Sequence, residues 1–211
     1  MGHRRRPPGW SFVLPLAVAL LGGFTTAEAT PGAGGGPTPT PTPFAIGLVG
    51  DWGYTPDQRG RLPALIADMN AAGLAFSVHD GDIKNGPPPC TDDVYFATRR
   101  LFNSFDHPLV YTPGDNEWTD CWQHPGYDPD ERLRFLRPVF FSTPRSLGRR
   151  TMPLERQGGG YPENARWHRG GVTFATLHVV GSNNHLPDAG RPGNRAEFAA
   201  RNAADLAWLR G

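Results

Sequence analysis

The sequence predicts an α/β fold built on a largely parallel, buried sheet, and three observations point to it. Three short apolar runs alternate with segments of helical period, the order produced when strands lie parallel and helices cover them. Each run stops at the same dipeptide: Gly50-Asp51, Gly81-Asp82 and Gly114-Asp115. The globular part, residues 44–211, has the length of one domain with a sizeable core.

Phe44 to Val49 (FAIGLV) reads as the first buried strand. Residues 57–72 then place Leu62, Leu65, Ile66 and Met69 at helical spacing. Gly73 supplies the stop, and Pro63 requires the helix to begin close to it. Leu74 to Val78 is the second run. A proline-rich loop, Gly86 to Pro89, leads to a second helix that Thr91, Asp92 and Asp93 can cap, with Val94, Ala97, Leu101 and Phe105 on its apolar face. Pro108 to Tyr111 is the third run. A third helix, Pro129 to Phe140, opens on Asp130 and Glu131, where the helix dipole favours acids. The alternation then stops: Ala165 to Val180 reads as a hairpin turning at Gly170-Gly171, and Glu197 to Leu209 as a final helix.

Residues 1–29 carry the parts of a secretory signal peptide: Arg4-Arg5-Arg6, the apolar run Phe12 to Leu21, and Ala27-Glu28-Ala29. That run falls short of the ~20 residues that cross a bilayer and contains Pro15, so a retained anchor is the weaker reading. Residues 30–43 (TPGAGGGPTPTPTP) form a linker that cannot build a core. The expectation is a secreted, periplasmic or cell-surface protein with no membrane span after signal cleavage. Removing residues 1–29 takes away three Arg and one Glu, so 21 basic and 20 acidic residues become 18 and 19, and no basic nucleic-acid surface is evident. In an exported chain Cys90 and Cys121 read most simply as one disulfide, since a zinc site would need further ligands. Closing a loop of that length stabilises by roughly 3–4 kcal/mol in the chain-entropy model.

In open α/β sheets the carboxyl ends of the strands line one edge, where ligands bind, so Asp51, Asp82 and Asp115 should converge. A single Gly-Asp pair is ordinary turn chemistry. Three in the same structural role form a pattern. Carboxylates about 4 Å apart at an effective dielectric near 20 repel by roughly 4 kcal/mol per pair, and a cation removes that cost. Hard oxygen ligands suit Mg, Mn and Fe, while imidazole adds preference for Zn or Fe. Two such ions can share one carboxylate and clamp a phosphoryl group during in-line displacement.

The series Gly50-Asp51-Trp52-Gly53, Gly81-Asp82-Ile83-Lys84-Asn85 and Gly114-Asp115-Asn116-Glu117 resembles the first three motifs of the calcineurin-like metallophosphoesterases, including their purple acid phosphatase branch. The likeness spans Phe44 to about Gly211. It implies a layered β-sandwich flanked by helices, of which this chain holds the amino-terminal portion only. It also implies two divalent or trivalent metal ions (Fe, Mn or Zn) and a phosphoester substrate. Asp51 would be a terminal ligand of the first ion and Asp82 the bridging carboxylate. Asp115 stands where the family has an asparagine ligand of the second ion, and Asn116 where it has the histidine that helps protonate the leaving group. Asn116 therefore occupies the catalytic position, but its amide does not titrate, so donating a hydrogen bond to phosphate is the role left to it. Gly53 replaces a histidine of the first motif, and Asn85 replaces the tyrosine of the purple acid branch. Asn85, Glu117 and His79 are expected to touch phosphate or orient a ligand, with a core position facing the helix layer as the other reading of His79.

The family's later motifs, a strand-end histidine and G-H-x-H, have no counterpart here. His178 reads as a core or sheet-face residue inside the second hairpin strand, and His168 and His185 as hairpin and loop residues. The expectation is the amino-terminal part of a longer phosphoesterase, with weak or no turnover from these residues alone. A non-catalytic exported module that keeps the fold and binds metal or phosphate is the alternative.

Overall fold

The computed structural model describes residues 42–211, so the expected signal peptide and most of the expected linker lie outside the described residues. Strand β1 (Ile46–Val49), helix α1 (Pro56–Ala71), β2 (Phe76–His79), α2 (Asp92–Phe102) and β3 (Leu109–Tyr111) follow in the expected order. The three strands pair in parallel as β1-β2-β3. A 3₁₀ turn (Thr119–Gln123) and α3 (Pro129–Phe140) come next. Strands β4 (Glu155–Arg156), β5 (Ala165–Arg169) and β6 (Val172–Ala175) then form an antiparallel sheet, followed by a single turn α4 (Gly181–Asn184) and helix α5 (Arg195–Arg210). The architecture is mixed α/β, with five helices and two small sheets among the described residues. None of these helices is long and apolar enough to cross a membrane.

Alternation along the strands places a core on each face of the parallel sheet. On β3, Leu109 and Tyr111 enter a cluster with Trp52, Leu62, Phe102 and Leu136 under the helices. Val110 points the other way and joins Phe76 with Leu154, Ala165 and Trp167. Helices therefore cover one face, and the antiparallel sheet packs on the other.

The structure moves several expected features. On α2 the buried residues are Tyr95, Thr98 and Phe102, while Val94, Ala97 and Leu101 stand at the margin. Tyr95 sets that rotation: its ring fills the core and its hydroxyl donates to Glu117 O at 2.7 Å. Thr91 makes no side-chain capping bond, which leaves Asp92 and Asp93 to act through the helix dipole. Helix α1 runs through Pro63 instead of beginning near it, because a Thr55/Gln58 capping box and Pro56 start it earlier. Leu65 sits at the rim of the α1 stripe and stays exposed. The second hairpin strand ends at Ala175, not Val180: the Thr176 hydroxyl replaces the ladder, accepting from Ala165 N and donating to Glu163 O. His178 consequently lies past the strand.

Cys90 and Cys121 form a disulfide that joins the start of α2 to the 3₁₀ turn. Buried Glu163 links α3 to the second sheet region, accepting from Arg137 Nη2 and Nε at 2.7 and 3.0 Å and lying 3.0 Å from His178 Nδ1. Burial alone would raise the Glu163 carboxyl, but His178 and then Arg137 outweigh it and hold it down at about 2. A carboxyl held below its unfolded value stabilises above that value and loses the contribution as pH falls toward the folded one. Glu163 should therefore stabilise the fold above its ordinary carboxyl range and lose that contribution as pH falls from about 4.5 toward 2. In urea unfolding, the margin of wild type over Glu163→Gln should shrink across that window; a margin constant with pH would contradict the assignment.

Candidate metal site at the strand ends

The loops after β2 and β3 approach more closely than side chains allow. Gly81 has φ +103°, and a Cβ on it would overlap the Gly114 backbone. A Cβ on Gly114 would overlap Asp82 Oδ1 and lie 2.7 Å from Asp82 N. Two glycines thus let these loops touch backbone to backbone. The loop after β1 is tied to the same place, with Asp51 N donating to Gly81 O at 3.2 Å and Trp52 N to Asp82 O at 3.3 Å.

That approach brings Asp51, Asp82, Asp115 and Asn116 together. Tyr54 OH lies 2.7 Å from Asp51 Oδ1 and 3.2 Å from Asp82 Oδ2, and Asn116 Nδ2 donates to the same phenol oxygen at 3.2 Å. Asn116 N donates to Asp82 Oδ1 at 3.2 Å. Burial, followed by the charges of Glu117 and Asp115, pushes Asp82 up to about 8. Burial together with Asp51 and Asp82 likewise holds the Tyr54 phenol well above its usual range.

Tyr54 and Ser182 were not among the residues expected here. Ser182 Oγ sits 2.8 Å from Asp115 Oδ2 and 2.6 Å from Asp120 Oδ1, and one hydroxyl hydrogen cannot serve both carboxylates. Lys84 Nζ donates to Asn85 O and Gly86 O at 2.9 and 3.0 Å, near enough to feel the charges of Glu117, Asp120, Asp82 and Asp115. The acids outnumber it. Oxygen donors of this kind are those hard cations take, but among the described residues the one group of three whose ligand atoms all lie within 4.8 Å of one another is a different one.

The other expected residues are placed differently from one another. Glu117 is fully buried beneath the Asp82 loop, where it accepts from Tyr111 OH at 2.7 Å, Gly114 N at 2.8 Å and Asp82 N at 3.1 Å. It orients backbone and does not face the open side. His79 is buried against Trp52 and Phe102, and its Nδ1 accepts from Gly81 N at 3.2 Å. It braces the loop from the core, and burial lowers its imidazole to about 3. Asn85 lies half-buried on the loop after β2, its carbonyl accepting from Lys84 Nζ at 2.9 Å.

A second group forms where sequence spacing gives no hint. Asp130, His185 and Glu197 each offer a ligand atom, all within 4.8 Å of one another, and could hold a metal ion. His185 is buried, not a plain loop residue: its Nε2 lies 3.2 Å from Asp130 Oδ1, and its ring packs on Trp118 at 4.8 Å. Asn194 Nδ2 donates to Asp130 Oδ2 at 2.6 Å, and Arg201 Nε to Glu197 Oε1 at 2.7 Å. The segment Ser182 to His185 runs through four successive positive φ values of 49°, 55°, 52° and 66°. It carries Ser182 to the first group and His185 to the second.

No protein-family model, curated protein or solved structure matches this chain.

Gly114→Ala tests the close approach, because the added methyl meets the backbone and the carboxylate of Asp82 at once. It should destabilise by about 3 kcal/mol or more, or prevent folding. Gly60→Ala lies inside α1 with nothing within 4 Å of the new methyl and should stabilise by about 0.5–1 kcal/mol. Chemical denaturation of the pair reads both signs, and a harmless Gly114→Ala would remove the packing argument.

Proposed function

We propose that this chain is an exported, metal-dependent phosphoesterase of the calcineurin-like type. The observation that carries the reading is the convergence of Asp51, Asp82 and Asp115 from three successive parallel strand ends, with Asp82 in the middle. That order agrees with the motif resemblance, and the Cys90–Cys121 disulfide is compatible with an extracellular setting.

Asp51, Asp82 and Asp115 would hold the ions, with Asp82 shared between them. Tyr54 adds a phenol oxygen at Asp51 and Asp82. The donor set favours Mn, Mg or Fe over Zn. Bound ions supply Lewis-acid polarisation of phosphoryl oxygens and lower the pKa of water. Asn116 Nδ2, which donates to Tyr54 OH, would donate to a phosphoryl oxygen, and since an amide does not titrate it would orient the phosphate without protonating the leaving group. Lys84 contributes nearby positive charge, while Glu117 and His79 hold the Asp82 loop from beneath.

One observation favours the second reading, a non-catalytic metal- or phosphate-binding module: Asn116 fills the position of the leaving-group acid. Hydrolysis of 4-nitrophenyl phosphate with added Mn²⁺ separates the two. The enzyme reading expects slow turnover that Asp82→Asn reduces by at least ~100-fold. Stoichiometric metal without turnover would select the module, and folded protein that binds no metal would end both metal readings. Tyr54→Phe should weaken Mn²⁺ binding by roughly 10–100-fold in calorimetric titration, the usual effect of losing a group that orients ligands. An unchanged affinity would place the phenol outside the site.

A further inference from the structure

Asp130 stands in the first turn of α3, Glu197 in the first turn of α5, and His185 ends the left-handed segment between them in the chain. Acids in a helix's first turn are ordinary, because the dipole favours them. The imidazole is what sets this group apart. His185 is 4% exposed, its Nε2 faces Asp130 Oδ1 at 3.2 Å, and its Nδ1 has no hydrogen-bond partner among the described residues. With the ring proton on Nε2, the buried Nδ1 lone pair is orphaned; with the proton on Nδ1, two acceptors face each other at Asp130. A cation between Nε2 and Oδ1 turns that second contact into an attractive one. Two ligands bound at about 2.0–2.1 Å to one tetrahedral zinc stand roughly 3.3 Å apart, close to the separation found here.

The two carboxylates are held from outside. Asn194 Nδ2 donates to Asp130 Oδ2 at 2.6 Å while its Oδ1 caps α5, and Arg201 donates to both oxygens of Glu197, at 2.7 and 3.3 Å. Donors placed in this way orient metal-ligating carboxylates. Arg201 balances one of the two negative charges and leaves the other to a cation.

We propose that Asp130, His185 and Glu197 bind one zinc ion, which fastens the segment Ser182–His185 to the starts of α3 and α5. The imidazole moves the preference toward zinc and away from the harder ions that suit the strand-end oxygens. Three protein ligands leave a tetrahedral zinc one position for water, on the side where Asp130 and Glu197 are partly exposed. The segment so held carries Ser182, whose Oγ lies 2.8 Å from Asp115 Oδ2 and 2.6 Å from Asp120 Oδ1. The zinc therefore positions the edge of the strand-end group, and this role does not depend on the phosphoesterase reading.

Calorimetric titration of Zn²⁺ into the full chain carrying Asp82→Asn tests it, since that change removes a charge from the competing strand-end acids. One ion per chain should bind, and adding His185→Gln should weaken that binding by at least ~100-fold, more than the loss of an orienting group alone. Absence of binding to Asp82→Asn, or an affinity that His185→Gln leaves unchanged, overturns the proposal. A second readout needs no variant. In ¹⁵N-labelled wild type, Zn²⁺ should move the amide signals of Asp130, His185 and Glu197. It should also slow hydrogen exchange by about tenfold or more at the amides of Leu186 and Asn194, which bond Asn183 O and His185 O. Shifts confined to the strand-end loops, or exchange that zinc leaves unchanged, overturn it.

Discussion

The backbone contact between Gly81 and Gly114 is the constraint on which the rest of the strand-end region depends. Neither position admits a Cβ, and each is followed directly by an aspartate. The approach therefore places Asp82 and Asp115 side by side as a consequence of backbone packing. Glu117 fixes the arrangement by accepting from Gly114 N, Asp82 N and Tyr111 OH, one carboxylate serving both loops and the strand behind them. Donors of this kind lower a buried carboxyl, yet burial is the larger influence and Glu117 stands raised. The protein has concentrated acids at one point and paired them mainly with dipoles. The proposed cation would relieve the repulsion among these acids.

Behind the loops, aromatic packing makes the placement rigid. His79 packs edge-on against Trp52 and tilted against Phe102 and accepts from Gly81 N, so the loop carrying Asp82 is anchored to the core at the residue just before the aspartate. Trp118, just beyond Glu117, lies between the rings of His178 and His185, with the Arg201 guanidinium over its face. The left-handed segment Ser182–His185 closes the arrangement. Positive φ in four successive non-glycine residues is costly, about 1–2 kcal/mol each for most side chains, although Asn tolerates it better. Its conformation is held by Arg201, which donates to Asn184 Oδ1 and O and to His178 O. The parallel sheet thus positions one carboxylate group directly, and the second sheet region, through this turn, completes its edge and builds the Asp130–His185–Glu197 group.

Much of the framework was legible because it depends on local signals. Strand order, parallel pairing and helix α3 follow from apolar runs, turn residues and capping; Asp128 caps α3 through Glu131 N at 2.7 Å, with Pro129 in its first turn. That the loops after β1, β2 and β3 meet was legible because strand direction fixes which ends share an edge. Failures came where tertiary context decides. A tyrosine and a threonine took the inner face of α2, while the more apolar Val94 and Leu101 stand at the margin of the core, half-buried against it. Tyr54 was missed because it lies one residue beyond the motif around Asp51. Its signal was present, a hydroxyl near a strand end in a polar loop. Ser182 lies 67 residues from Asp115, and the His185–Asp130 contact spans 55, so no spacing rule reaches them.

The central claim is that the three strand-end loops form one cation site, distinct from the group at Asp130, His185 and Glu197. Paramagnetic broadening of backbone amide signals during a Mn²⁺ titration of the full chain tests it most directly. The account predicts that Trp52, Asp82 and Asn116 broaden first and together. Broadening that centres on Asp130 and Glu197, or none at all, would contradict it.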